Sequence, residues 1–196
     1  FIESYEFEII LEKKEMEHLL SQIKQCTICK ENLDLGPRPA LAAHKNSKIV
    51  IIGQEPGTKV HASGIPWDDA SGRQLRKWLN VSDEDFYDIE KFAIIPMGFC
   101  YPGKIEKGGD KPPRPECAPA WHDKILAGLP HIELTLLTGM YAQNYYLADR
   151  NKKTLTETVP NSRDYGPAII PTPHPSWRTT GWLKKMFGLR LSYCRK

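Results

Sequence analysis

Short apolar runs that alternate with helical segments constrain the fold of this chain more than any other feature. Four of these runs have the form of buried strands: Lys48 to Gly53, Lys91 to Gly98, Glu133 to Gly139 and Pro167 to Pro173. Strands that alternate with helices are joined by right-handed crossovers, and this makes the strands parallel. We therefore predict an α/β fold, a three-layer α/β/α sandwich around a mostly parallel four-stranded sheet.

The segments between these runs carry helical patterns. Leu11 to Gln25 places Leu and Ile at helical spacing among Glu and Lys, which predicts an amphipathic helix. A second helix is expected to start with Ser71 as its N-cap, and a third follows the strand that ends at Gly139. With 196 residues, of which 40% are hydrophobic, the chain predicts a single domain spanning residues 1–196.

The charge of the chain is unevenly distributed. The formal net charge is +3, residues 1–20 are rich in glutamate, and Pro171 to Lys196 contain Lys and Arg but no acidic residue. A basic end favours a polyanionic partner, and a merely solvated tail is the alternative. No run of about 18 apolar residues is present, so we expect a soluble protein without membrane contact. We also expect it to be cytoplasmic and monomeric.

Candidate catalytic residues follow the first and the last of the four strands. The segment "GQEPG", Gly53 to Gly57, follows the first strand, and His174 lies between two prolines after the last. Ligands of open parallel sheets bind at the carboxyl ends of the strands, so the two segments should meet there. The prolines stiffen the backbone around His174. "GQEPG" is not a nucleotide-binding phosphate loop, because its glycine spacing is too short and Thr58 separates Gly57 from Lys59.

A carboxylate and an imidazole in one cleft suit the hydrolysis of a bond whose leaving group departs as an anion. Glu55 can stabilise developing positive charge or orient water, and His174 can stabilise the departing anion. Purely structural networks produce the same pairing, so the pair alone does not establish an enzyme.

Three motifs taken together resemble the uracil-DNA glycosylase superfamily. They are "GQEPG" after the first strand, "GIPWDDASGRQLRKWL" further along, and "HPS" after the last strand, and the likeness extends from about Cys26 to Lys185. The resemblance implies a base-excision repair enzyme that flips a damaged base out of DNA and hydrolyses its N-glycosidic bond. It implies that Glu55 and His174 are the catalytic residues.

The same resemblance assigns binding roles to further residues. Those implied to bind the substrate base are Gly53, Gln54, Pro56, Gly57 and Trp67. Those implied to bind DNA are Ser176, Trp177, Arg178, Lys184 and Lys185. Trp67 would stack on the extruded base and Trp177 would act as a wedge in the duplex. The alternative for each tryptophan is burial, in the core for Trp67 and against a neighbouring helix for Trp177.

Five cysteines at uneven spacing argue for metal or cluster ligation over disulfides. Cys26 and Cys29 form a C-x2-C pair, and Cys100 and Cys117 enclose a segment rich in Gly, Pro and Lys. This pattern resembles the iron–sulfur, family 4/5-like branch of the superfamily and implies a [4Fe-4S] cluster on these four residues. A structural zinc would use the same thiolates and stays open as the alternative. Cys194 is left as a plain thiol.

One departure from the family pattern concerns the substrate. The iron–sulfur branch often carries an asparagine that reads the uracil edge at the position where this chain has Pro96. Uracil is the first expectation, and hypoxanthine, xanthine or another deaminated base stays open. The competing class of function is a non-catalytic module that binds damaged DNA or abasic sites on the same fold.

Overall fold

The central sheet has the predicted composition and direction. The computed structural model describes residues 14–179 and residue 181. Its four strands are β1 (Ile49–Ile52), β2 (Phe92–Ile94), β3 (Leu134–Thr138) and β4 (Ile169–Thr172), in the spatial order β2-β1-β3-β4. Every neighbouring pair is parallel, which confirms the predicted α/β fold and its sheet.

Helices connect the strands. They are α1 (14–24), α2 (Thr58–Ser63), α3 (Ala70–Leu79), α4 (Asp83–Tyr87), α5 (Cys117–Ala127), α6 (Met140–Leu147) and α7 (Leu155–Thr158). Single 3-10 turns lie at Lys30–Asn32, Ala148–Arg150 and Ser162–Tyr165. The predicted first helix is present from residue 14 on, and its expected beginning lies outside the described residues. Among the helices described, none has the length and apolar character needed to cross a membrane.

Both faces of the sheet are buried. Alternate residues of β1 point to opposite sides, so that Val50 and Ile52 belong to one hydrophobic cluster and Ile51 to another. The first cluster includes residues of α1, α5 and α6, and the second includes Leu75 of α3 and Phe86 of α4. Helices therefore cover the sheet on two sides, which confirms the three-layer arrangement.

The N-terminus of α3 differs from the sequence prediction. Asp69, not Ser71, is the N-cap residue, and its carboxylate accepts a hydrogen bond from the backbone N–H of Gly72 at 2.7 Å. Asp69 has an extended backbone, whereas Ser71 already lies inside the helix. Aspartate and serine cap helices about equally well, so residue type alone does not distinguish Asp69 from Ser71.

Candidate active site

A cavity of about 400 Å³, including its open mouth, lies at the carboxyl ends of the strands. We call it the glutamate cavity, and its lining residues are Ala40, Gly53, Gln54, Glu55, Pro56, Gly57, Val60, Pro66, Trp67, Asp69, Ile94, Pro96 and His174. The structure thus brings together both candidate catalytic residues and all five residues predicted to bind the base. Their roles in binding and catalysis stay predictions.

Glu55 is held on the tight turn that follows β1. Its Oε2 atom is buried and has no hydrogen-bond partner among the described residues. Burial, and then the nearby carboxylate of Asp110, raises the pKa of Glu55 to about 8. The side chain is therefore largely protonated at neutral pH, and positive charge placed beside it favours the ionised form.

His174 lies on a short turn after β4. Its carbonyl accepts hydrogen bonds from the backbone N–H of Ser176, at 2.8 Å, and from the hydroxyl of Thr179. Burial lowers the pKa of His174, and the carboxylate of Asp69 opposes that effect. The imidazole is consequently neutral at neutral pH, and a neutral imidazole can donate one N–H to an oxygen that gains negative charge.

Trp67 forms the wall of the glutamate cavity beside His174. The two rings stack with centroids 5.6 Å apart and an angle of 30° between their planes. A Cβ atom on Gly53 would lie 2.9 Å from the indole, so the close approach of the ring requires glycine there. Trp67 is half-buried and also packs against the cluster around Phe86, so it contributes both to the core and to the cavity.

Sequence reasoning missed Gly139, which brings the end of β3 against the site. Its φ of +92° is one that glycine adopts freely, and a Cβ atom here would lie 3.2 Å from the Gln54 side chain and 3.4 Å from His174 Cβ. Asp69 and Pro66 were missed as lining residues as well. A glycine directly after a strand was the available signal for Gly139.

The residues predicted to bind DNA lie just beyond His174. Ser176 is half-buried, whereas the indole of Trp177 is 81% exposed and the Arg178 guanidinium lies 5.6 Å from its centroid. Trp177 is therefore not buried against any described helix. Lys184 and Lys185 lie outside the described residues.

Comparison with known proteins places the chain in a family. A sequence model of the uracil DNA glycosylase superfamily matches residues 40–194. The chain belongs to the uracil-DNA glycosylase superfamily. It is also similar to the type-4 uracil-DNA glycosylase of Thermotoga maritima, with 26% identity over 169 residues that cover 83% of this chain and 82% of the relative. The resemblance inferred from the three motifs is confirmed.

In this member of the superfamily, Pro96 makes the β2 side of the glutamate cavity apolar. Proline has no backbone N–H, and the Pro96 carbonyl accepts a hydrogen bond from Nε2 of His122 at 3.1 Å. The other ring nitrogen of His122 lies 2.6 Å from the Tyr146 hydroxyl, which donates to it. Burial lowers the pKa of His122 to about 4, so this ring is neutral and its hydrogen bonds hold the Pro96 wall in place.

A second cavity, of about 330 Å³ including its open mouth, is lined by all four predicted cluster ligands. We call it the cysteine cavity, and its lining residues are Cys26, Cys29, Leu33, Pro37, Pro39, Gly98, Phe99, Cys100, Arg114 and Cys117. Burial raises the pKa of Cys100 to about 11 and that of Cys117 to about 12. Over residues 14–179, no three His, Cys, Asp or Glu side chains form a group that could hold a metal ion.

Proposed function

We propose that the chain is a DNA glycosylase that hydrolyses the N-glycosidic bond of a deaminated base, with uracil as the first candidate. The observation that carries the proposal is the glutamate cavity, which Glu55 and His174 both line and in which Trp67 stacks on His174. Membership of the superfamily and the similarity to a type-4 uracil-DNA glycosylase support it.

The chemistry of the bond fits the two side chains. Cleavage passes through a sugar with oxocarbenium character while the base leaves as an anion. Positive charge on the sugar shifts Glu55, whose pKa is about 8, toward its ionised form, so its attraction to the sugar is greatest in the transition state. Neutral His174 donates its N–H to the base oxygen as negative charge develops there.

Base binding is assigned to Trp67 and to the segment after β1. Extrusion of a base from the stack costs a few kcal/mol, and stacking on an aromatic ring returns about 1–3 kcal/mol of that cost. Gln54 offers an amide that can both donate and accept hydrogen bonds at the base edge. Because Pro96 has no N–H and its carbonyl already accepts a hydrogen bond from His122, we assign the discrimination between uracil, hypoxanthine and xanthine to Gln54 and His174.

We assign a metal centre on thiolates to the cysteine cavity, because its lining contains all four cysteines of the pattern, and we propose a [4Fe-4S] cluster there. A structural zinc would use the same four thiolates and is the alternative. Cys26, Cys29, Cys100 and Cys117 would hold the cluster, and it would supply a cross-link between the segment after α1, the end of β2 and the start of α5.

The decisive experiment offers the protein duplexes that carry one uracil, one hypoxanthine or one xanthine, followed by alkaline cleavage at abasic sites. Release of uracil is expected. Glu55→Gln should lower the rate by roughly 10²–10⁴ with DNA binding nearly intact, because the carboxylate acts only as charge develops. His174→Ala should behave similarly.

The matched control is Glu84→Gln, which makes the same change on an exposed residue of α4 and should keep the parent rate. If Glu55→Gln and His174→Ala both cleave at the parent rate, the catalytic pair is misassigned. Tight binding to abasic DNA without base release by the parent would instead indicate a non-catalytic binding module.

A further inference from the structure

The backbone of Trp67 is in a conformation that a bulky residue rarely adopts. Its φ is +59°, and it lies in a turn closed by a 3.2 Å hydrogen bond from Asp68 N–H to the Ile65 carbonyl. Pro66 and Trp67 occupy the second and third positions of this turn, as in type II turns, whose third position favours glycine. A tryptophan here is strained and persists only if its surroundings hold it.

Arg76 of α3 supplies one such support. Its side chain is 7% exposed, and Nη1 lies 3.4 Å from the Trp67 carbonyl and 3.2 Å from the Tyr87 hydroxyl, donating to both. Nε pairs with Asp83 at 2.6 Å, and the guanidinium lies over the Phe86 ring. The planar guanidinium therefore has a fixed orientation, with one N–H aimed at Trp67.

Gly72 supports the same carbonyl from the first turn of α3. A Cβ atom at this position would lie 1.7 Å from the Trp67 carbonyl oxygen, so no other residue fits without moving the turn. The carbonyl is thus confined by Gly72 and bonded by Arg76. With its backbone held, the indole is placed against Gly53 and stacked on His174.

We propose that Arg76 is a positioning residue that acts through the Trp67 carbonyl to hold the indole in the glutamate cavity, where the extruded base would stack. The expected effect on excision rests on the proposed function. The placement of the indole beside His174 is a matter of geometry and does not depend on that function. Arg76 does not line the glutamate cavity, so its substitution should affect the chemistry only through Trp67.

The test substitutes Arg76→Lys, which keeps a cation for Asp83 but loses the fork that reaches Trp67 at the same time. Arg73→Lys, on an exposed residue of the same helix, is the matched control. The first readout is the NMR chemical shift of the His174 ring protons, because the ring current of the stacked indole changes that shift. The signals are assigned by comparison with His174→Ala. Arg76→Lys should abolish most of this ring-current shift, and Arg73→Lys should retain it.

The second readout is single-turnover excision with DNA affinity measured in parallel. Arg76→Lys should lower the excision rate roughly 10- to 100-fold with a change in Kd of less than about twofold, since misplacement of about 1 Å has effects of that size. A folded Arg76→Lys protein with an unchanged His174 shift overturns the proposal. If Arg76→Lys does not fold, the test uses Tyr87→Phe, which removes another contact of Arg76. This variant should change the chemical shift of the His174 ring protons in the direction expected for Arg76→Lys, and an unchanged shift overturns the proposal. Absence of base release by the parent refutes the proposed function, and the NMR result still decides the role of Arg76.

Discussion

The glutamate cavity and the cysteine cavity are lined by the same two backbone segments, but they bury ionisable groups in different ways. Pro39 lines the cysteine cavity and Ala40 the glutamate cavity, and the segment that follows β2 contributes Pro96 to one and Gly98 to Cys100 to the other. The two segments are joined by a hydrogen bond from Ala40 N–H to the Phe99 carbonyl at 2.8 Å. Neighbouring walls therefore serve two chemically distinct sites.

The two cavities differ in what would ionise their buried acidic groups. One carboxylic acid in the glutamate cavity is kept protonated by burial, and a transient positive charge can ionise it. Four thiols line the cysteine cavity, and a metal centre would deprotonate those that burial keeps neutral. Substitutions in the glutamate cavity should therefore impair activity and spare the fold, whereas substitutions in the cysteine cavity should impair the fold itself.

The largest effect is expected from the cysteines. Cys117→Ser or Cys100→Ser should yield insoluble protein, because the free energy of binding a structural metal centre is comparable to the whole stability of a domain. Protein purified without oxygen should be brown, with broad absorbance in the blue. Cys194→Ser is the control and should remain soluble and brown. A colourless, folded protein with stoichiometric zinc would disprove the cluster.

The next prediction concerns the pH dependence of the glutamate cavity. Because the pKa of Glu55 is raised from 4.5 to about 8, the folded state holds a proton that the unfolded state releases, and stability falls as pH rises between these values. Glu55→Gln removes this loss of stability, so the free energy of unfolding of the variant should exceed that of the parent by a few kcal/mol at pH 9 and match it near pH 4.

Urea unfolding of both proteins at a series of pH values measures this difference, and a constant difference at every pH would contradict the raised pKa.

The same ionisation of Glu55 should appear in the pH dependence of the reaction. The kcat/KM of the parent for uracil-containing DNA should rise with pH and level off above about 8, because the ionised carboxylate is the active form.

Sequence patterns predicted the strands and the meeting of the segments that follow β1 and β4, because strand ends in a parallel sheet converge. They did not predict Arg76 or Gly139, whose roles depend on which segments approach each other in three dimensions. Gly72 had a visible signal, since glycine inside a helical pattern usually has a packing reason. The N-cap of α3 is Asp69 and not the predicted Ser71, because both residue types satisfy the same local rule and only the path of the chain distinguishes them.

The exposed indole of Trp177 provides a smaller, substrate-dependent effect. If it fills the gap left by the flipped nucleotide, Trp177→Ala should reduce excision from duplex DNA roughly tenfold and from single strands hardly at all, because no stack has to be opened in a single strand. Trp177→Phe should restore part of the duplex activity. Equal losses on both substrates would show that the ring does not act as a wedge in the duplex.

The smallest effect concerns the basic C-terminal end, whose contacts to phosphate would carry no base information. Replacing Lys184 and Lys185 together by Ala should reduce the slope of log Kd against log salt by roughly one to two units, equally for damaged and undamaged sequences. The double control is Lys48→Ala with Lys91→Ala, since these lysines precede β1 and β2, at the end of the sheet away from the glutamate cavity. A loss of affinity confined to damaged DNA would instead place the two lysines in base recognition, because counterion release is the same at every phosphate.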